Sequence, residues 1–110
     1  MRKLLFVCSQ NRLRSPTAER IFSRYPDLEV ASADLDADAA RPVTPERVAW
    51  ADWIFVMEKA HRNQLRRRFA GHCDWRRVIC LNIPDHYDFM DPQLIALLEA
   101  RVGKYLGTYK

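Results

Sequence analysis

The sequence predicts an α/β fold: one three-layer domain in which a four-stranded parallel sheet carries helices on both faces. Three observations lead there. Short apolar runs alternate with helix-period segments along the whole chain, the pattern of parallel strands joined by crossover helices. The runs Leu4–Val7 and Trp53–Met57 are unbroken rather than alternating, as suits strands covered on both sides. The length of 110 residues, 48% of them apolar, suits one small domain with a real core. No repeat, linker or low-complexity stretch divides it, so residues 1–110 read as one unit.

Taken in order, the first strand covers about Lys3 to Val7. Ser15 is a preferred N-cap and Pro16 a preferred first helical residue, so a helix is expected to start there. Ala18, Ile21, Phe22 and Tyr25 form its apolar stripe, and Pro26-Asp27 ends it. Glu29–Ala33 is moderately strand-like, and Asp34 to Arg41 reads as an acidic, Ala-rich loop. Thr44-Pro45-Glu46 starts a short helix to about Trp50. After the Trp53–Met57 strand comes a helix from Lys59 to Phe69, with His61, Leu65 and Phe69 on one side. Gly71 stands at its expected C-cap, and Arg66, Arg67 and Arg68 in its last turn suit the helix dipole. Arg77–Leu81 is a further strand and Asn82–Met90 a loop. Asp91-Pro92 then opens a last helix whose apolar face carries Ile95, Leu98, Val102, Tyr105 and Leu106.

Bulk properties exclude several classes. No stretch approaches the length of a membrane span, and the apolar run after Met1-Arg-Lys is too short for a signal peptide. Three cysteines argue against a disulfide framework and for a reduced, cytoplasmic protein. The net charge of +4 favours anionic partners without identifying one.

The chemistry concentrates in Cys8-Ser-Gln-Asn-Arg-Leu-Arg-Ser-Pro16. A strand, a tight loop and a helix N-terminus collect backbone N–H groups around an anion. Cys8 opens that loop and Arg14 closes it. The helix N-terminus and the Arg14 charge are expected to lower the thiol pKa, while the planar guanidinium can grip two phosphoryl oxygens at once.

This nine-residue string resembles the signature of the low-molecular-weight protein tyrosine phosphatases, Cys-x-Gly-Asn-x-Cys-Arg-Ser-Pro. Ser32-Ala33 resembles the family's Ser-Ala-Gly. Ala40-Arg41 and Asp52–Glu58 resemble its Ala-Arg-Gln and Asp-Tyr-Ile-x-x-Met-Asp segments, and Ile83-Pro-Asp-His-Tyr87 resembles the stretch carrying its general acid. The resemblance implies that Cys8 is the nucleophile and that Arg14 and the N–H groups of Ser9, Gln10, Asn11, Arg12, Leu13 and Arg14 hold the phosphoryl group. Asn11 would brace the loop, the Ser15 hydroxyl would stabilise the departing thiolate, and Asp85 would be the general acid. Arg12 and Tyr87 would line the pocket rim. No metal or organic cofactor is implied, and the default substrate is a phosphotyrosine protein, with other phosphomonoesters, including a nucleotide or RNA end, left open.

The sequence also departs from that pattern. Gln10 replaces the loop glycine, Leu13 the second loop cysteine, and Asp88 the second of two tyrosines after the acid. The segment between Ser32 and Arg41 is shortened, which removes an aromatic wall and implies a more open, more polar pocket. For the general acid, loop placement favours Asp85 over Asp88 and over Asp91, which helix capping explains. Three other readings stand beside the phosphatase: a non-catalytic phosphate- or phosphoprotein-binding module, an RNA-binding protein using the arginines of 62–77, and an arsenate-reductase-type thiol enzyme. The last would need Cys73 and Cys80 as relay thiols, yet Cys80 lies in an apolar strand and reads as buried and structural. His61, His72 and His86 lack metal-ligand spacing.

Overall fold

The computed structural model describes residues 2–9, 14–71, 74–84 and 86–106. Strands β1 (Arg2–Cys8), β2 (Leu28–Asp34), β3 (Trp53–Val56) and β4 (Val78–Cys80) form one sheet in the order β2-β1-β3-β4, and every neighbouring pair is parallel. Among the described residues, helices α1 (Arg14–Phe22), α2 (Pro45–Trp50), α3 (Lys59–Phe69) and α4 (Pro92–Leu106) accompany the sheet, with a 3-10 turn at Trp75–Arg77. The expected α/β class and four-stranded parallel sheet are what the structure has.

The two-residue period of a strand explains why the central runs are apolar throughout. Leu4, Phe6 and Cys8 of β1 share a core with Phe55 and Met57, and α1 and α4 cover that side. Leu5 and Val7 point the other way and pack with Ile54 and Val56 beneath α2 and α3. Each such side chain contributes roughly 1.5–3 kcal/mol on burial. Phe6 stacks between Phe22, at 5.6 Å, and Phe55, at 5.4 Å.

Most element boundaries lie within a residue or two of expectation; α1 ends at Phe22, short of Tyr25, which still packs against the core from the turn that follows, and four other features differ for physical reasons. Helix α1 begins at Arg14, so Ser15 and Pro16 sit inside its first turn rather than at cap and first position. A first turn tolerates this, because its N–H groups have no intrahelical acceptor to lose. At the end of α3 the C-cap is Ala70, in right-handed conformation; Gly71 merely follows, and a side chain there would meet nothing within 4 Å. Arg77 belongs to the 3-10 turn and Leu81 leaves β4, which keeps only Val78–Cys80. On α4 the buried positions are Leu94, Leu98, Val102 and Leu106, while Tyr105 is 39% exposed. Leu98, Val102 and Leu106 are buried as expected, and Leu94 is fully buried where Ile95 packs only partly against the core.

The capping expectations at the other helices hold. Thr44 accepts a hydrogen bond from the Arg47 N–H at 3.2 Å, and Asp91 Oδ1 accepts one from Gln93 at 2.8 Å. None of the helices among the described residues is long and apolar enough to cross a membrane.

Candidate active site

The carboxyl end of β1 is the centre of the site, as expected for a parallel sheet. Cys8 ends the strand, 2% exposed, and its carbonyl accepts the Leu35 N–H at 2.9 Å. Asp34, the last residue of β2, is its register partner. Arg14 opens α1 and is 1% exposed. Its Nη1 donates to Glu58 Oε2 at 2.6 Å and to the Ile83 carbonyl at 2.7 Å. Glu58 follows β3 and precedes α3, and its own N–H donates to Nδ1 of the buried His61 at 3.2 Å. The guanidinium is thereby tied to the junction of β3 with α3 and to the segment that follows β4.

Two features give this arrangement chemical content. Among the described residues, no acceptor meets the buried Nε of Arg14. A buried charged donor left in that state is costly, and an oxyanion at the mouth of the loop would relieve it. The thiol, in contrast to the sequence expectation, is held above its ordinary pKa. Burial is the main cause and the Asp34 charge adds to it, outweighing the hydrogen bonds from Ser15 and the charge of Arg14, which act downward. The helix start does favour the thiolate, but the apolar core around Cys8 costs more than it returns.

A cleft of about 360 Å³ opens beside Cys8. Its walls include Ser15 and Pro16 from α1, Glu19 one turn further on, Asp34, and Ala39 to Arg41 of the shortened segment. Glu19 is held in place: its Oε1 accepts from Ser32 Oγ at 2.6 Å and pairs with Arg41 at 3.2 Å. Small side chains form the wall at Ala39 and Ala40, and no aromatic residue lines this cleft among the described residues.

No family model matches the chain. Over 73 residues, 64% of this chain and 50% of the relative, it is 37% identical to the low molecular weight protein-tyrosine-phosphatase Wzb of Escherichia coli strain K12. The chain thus spans about half the length of the curated relatives it matches. In three dimensions it resembles Vibrio vulnificus Wzb in complex with benzylphosphonate, with a TM-score of 0.75 over 94% of this chain and 96% of that one, at 22% identity. It also resembles the YwlE arginine phosphatase of Geobacillus stearothermophilus, with a TM-score of 0.72 over 96% and 93% at 20% identity. The chain is related to the low-molecular-weight protein tyrosine phosphatases and shares their fold.

Within that phosphatase fold, the structure brings Cys8, Arg14 and Ser15 together as the sequence expected. Ser9 follows the strand, half-buried. Gln10, Asn11, Arg12, Leu13 and Asp85 lie outside the described residues, as do His72 and Cys73. Of the other acid candidates, Asp91 caps α4 as expected, and Asp88 is exposed. Tyr87, expected at the rim, packs half-buried against the core that contains Cys8, with its ring 4.3 Å from that of His86. Cys80, expected to be buried and structural, is half-buried at the strand end with its thiol 3.4 Å from Asn82 Oδ1. It packs at the margin of the core beneath α2 and α3 rather than being enclosed by it. Several arginines of 62–77 have structural work: Arg66 lies over the Trp75 ring, Arg68 donates to the Leu35 carbonyl, and Arg76 pairs with Asp74.

Sequence reasoning gave no role to Glu58, Glu19 or Asp34. The signal was available for two of them, since Glu58 and Asp34, like Cys8, stand where a parallel strand ends.

Proposed function

We propose that the protein hydrolyses phosphate monoesters on proteins without a metal, through a phosphoryl group carried on Cys8. The observation that carries this reading is a buried arginine whose Nε has no acceptor among the described residues, beside a buried thiol at the carboxyl end of the central strand. The N–H groups of residues 9–14 and the Arg14 fork are assigned to holding the phosphoryl oxygens as charge develops on them. Glu58 and the Ile83 carbonyl keep that fork from turning away.

In the first half-reaction the Cys8 thiolate attacks phosphorus. The S–P bond forms, the P–O bond to the substrate breaks, and the departing oxygen takes its proton from Asp85. In the second, water gives a proton to Asp85 and attacks phosphorus, releasing orthophosphate. The Ser15 hydroxyl, buried on the same cleft as Cys8, stabilises the departing thiolate. Asn11 is assigned to bracing the loop and Arg12 to its mouth by the resemblance of the loop sequence, while Tyr87 supports the wall from the core side. Ile83 lies two residues before Asp85, so the bond from Arg14 also anchors the start of the acid-bearing loop. Its exit is anchored as well, by the Met90 N–H donating to the buried Thr17 hydroxyl at 3.0 Å.

Phosphotyrosine on protein is the default substrate. Turnover of a small aryl phosphate in the presence of a chelator tests the reading. Activity that Cys8→Ser abolishes and Asp85→Asn reduces, with Asp91→Asn leaving it intact, supports it. Failure of the folded wild type to turn over any aryl phosphate contradicts it.

A further inference from the structure

Helix α1 has a second face that the phosphate site does not use. Its buried positions, among them Ala18, Ile21 and Phe22, face the core. The helical period then sets Pro16, Glu19 and Arg20 toward the outside, and Ser23 and Arg24 continue that line in the turn that follows. A groove of about 590 Å³ runs along it. Pro16, Glu19 and Arg41 line both this groove and the cleft beside Cys8, so the two form one continuous surface.

Phe89, from the loop before α4, also lines the groove and is 46% exposed. Among the described residues one other large apolar side chain is left exposed, Tyr105, and it rests on the Trp53 and Phe55 rings. The backbone next to Phe89 is fixed. Met90 is left-handed, with φ 63°, a conformation unfavourable for a long side chain. Its N–H donates to the buried Thr17 hydroxyl of α1 at 3.0 Å, and its side chain packs on the core. These contacts hold the turn against α1 and leave the neighbouring Phe89 ring outside.

The charge of the groove is positive. Arg20 and Arg24 are exposed and form no ion pair among the described residues. Glu19 is the acidic residue of the lining, and it is engaged by Ser32 and Arg41. Two exposed arginines alone would be an ordinary solvated face. Their continuity with the phosphate cleft, beside an aromatic ring held out by its own backbone, sets this face apart.

Resting on the phosphoprotein reading above, we infer that the groove is the docking surface for the substrate's polypeptide. It receives an acidic segment next to the phosphorylated residue, with carboxylates at Arg20 and Arg24 and the apolar part of the chain on Phe89. From Pro16 to Arg24 the chain advances about 12 Å at helical rise, which an extended peptide spans in roughly three or four residues. The acidic side chains therefore belong within about four positions of the phosphorylated one.

Binding of two phosphotyrosine peptides tests this. They are identical except for glutamate or glutamine at the second to fourth positions on each side of the phosphotyrosine. The protein is Cys8→Ala, which has no nucleophile at that position, alone or combined with Arg20→Gln/Arg24→Gln. At low ionic strength the glutamate peptide is expected to bind about three- to tenfold more tightly, the effect of two exposed ion pairs. Loss of Arg20 and Arg24 is expected to bring that ratio close to one. Removing the same charge across the sheet, by Arg66→Gln/Arg67→Gln on α3, is expected to leave most of it. Phe89→Ala is expected to weaken both peptides alike, by about two- to fivefold.

Equal binding of the two peptides overturns the inference, as does a preference that survives the loss of Arg20 and Arg24. An equal fall on changing α3 would show general attraction to a basic protein and overturn it too, and so would unchanged binding in Phe89→Ala. The phosphatase reading is judged separately, on whether the wild type turns over a plain aryl phosphate. A protein that does so and binds both peptides equally keeps the chemistry and loses the docking surface.

Discussion

Arg14 is the residue on which the site turns. Lysine in its place keeps the charge but loses the planar fork, which alone can reach Glu58, Ile83 and a phosphoryl oxygen together. Arg14→Lys is expected to lower kcat for an aryl phosphate by roughly 100- to 1000-fold, measured under a chelator at saturating substrate. Glu58→Gln keeps the shape of the partner and weakens its hold, and a loss of about tenfold is expected, the effect of about 1.4 kcal/mol in the barrier. Cys8 carries a pH prediction. Its folded thiol holds a proton to higher pH than an ordinary cysteine, whose value is 9.0. The unfolded chain therefore loses that proton first, and stability present below that value declines as pH rises through the folded one. Denaturant unfolding of Cys8→Ser should show a weaker alkaline decline than wild type; an unchanged decline would contradict the assignment. At this scale the sequence was legible where chemistry fixed the residue type, at Cys8 and Arg14. It misled on the thiol pKa, because burial depends on how α1 and α4 close over the strand end, which local spacing does not reveal.

Elements position these residues, and their boundaries were legible wherever a cap announced them. Thr44→Ala removes the hydroxyl that accepts the Arg47 N–H and is expected to cost about 1 kcal/mol by chemical denaturation. Activity should be unaffected, since α2 packs on the face away from Cys8. The start of α1 was misplaced because its Ser-Pro pair imitates a cap, although Ser15 already lies inside the first turn. On α4, Leu98, Val102 and Leu106 were legible, but Leu94 was missed in favour of Ile95 and Tyr105, since Leu94, Ile95, Leu97 and Leu98 are all apolar and periodicity cannot choose among them.

At the level of the whole molecule, one sheet with two covered faces fixes the carboxyl ends of β1, β2 and β3 side by side. Cys8, Asp34 and Glu58 meet there for that reason, although the sequence spaces them widely. The α/β class was legible because both central strands are apolar on both faces. The cleft was not, because it depends on the register of β2 against β1 and on the fold of the shortened segment. Stability rests on the two cores: Leu98→Ala in the fully buried α4 face is expected to cost about 2–5 kcal/mol, read as a lowered denaturation midpoint. The central claim is that Cys8 carries the phosphoryl group, and acid quenching during turnover of an aryl phosphate tests it most directly. Mass spectrometry of the digested wild-type protein should find a phosphoryl group on the Cys8 peptide, with none formed by Cys8→Ala protein. Turnover that persists in Cys8→Ala under a chelator would contradict the account.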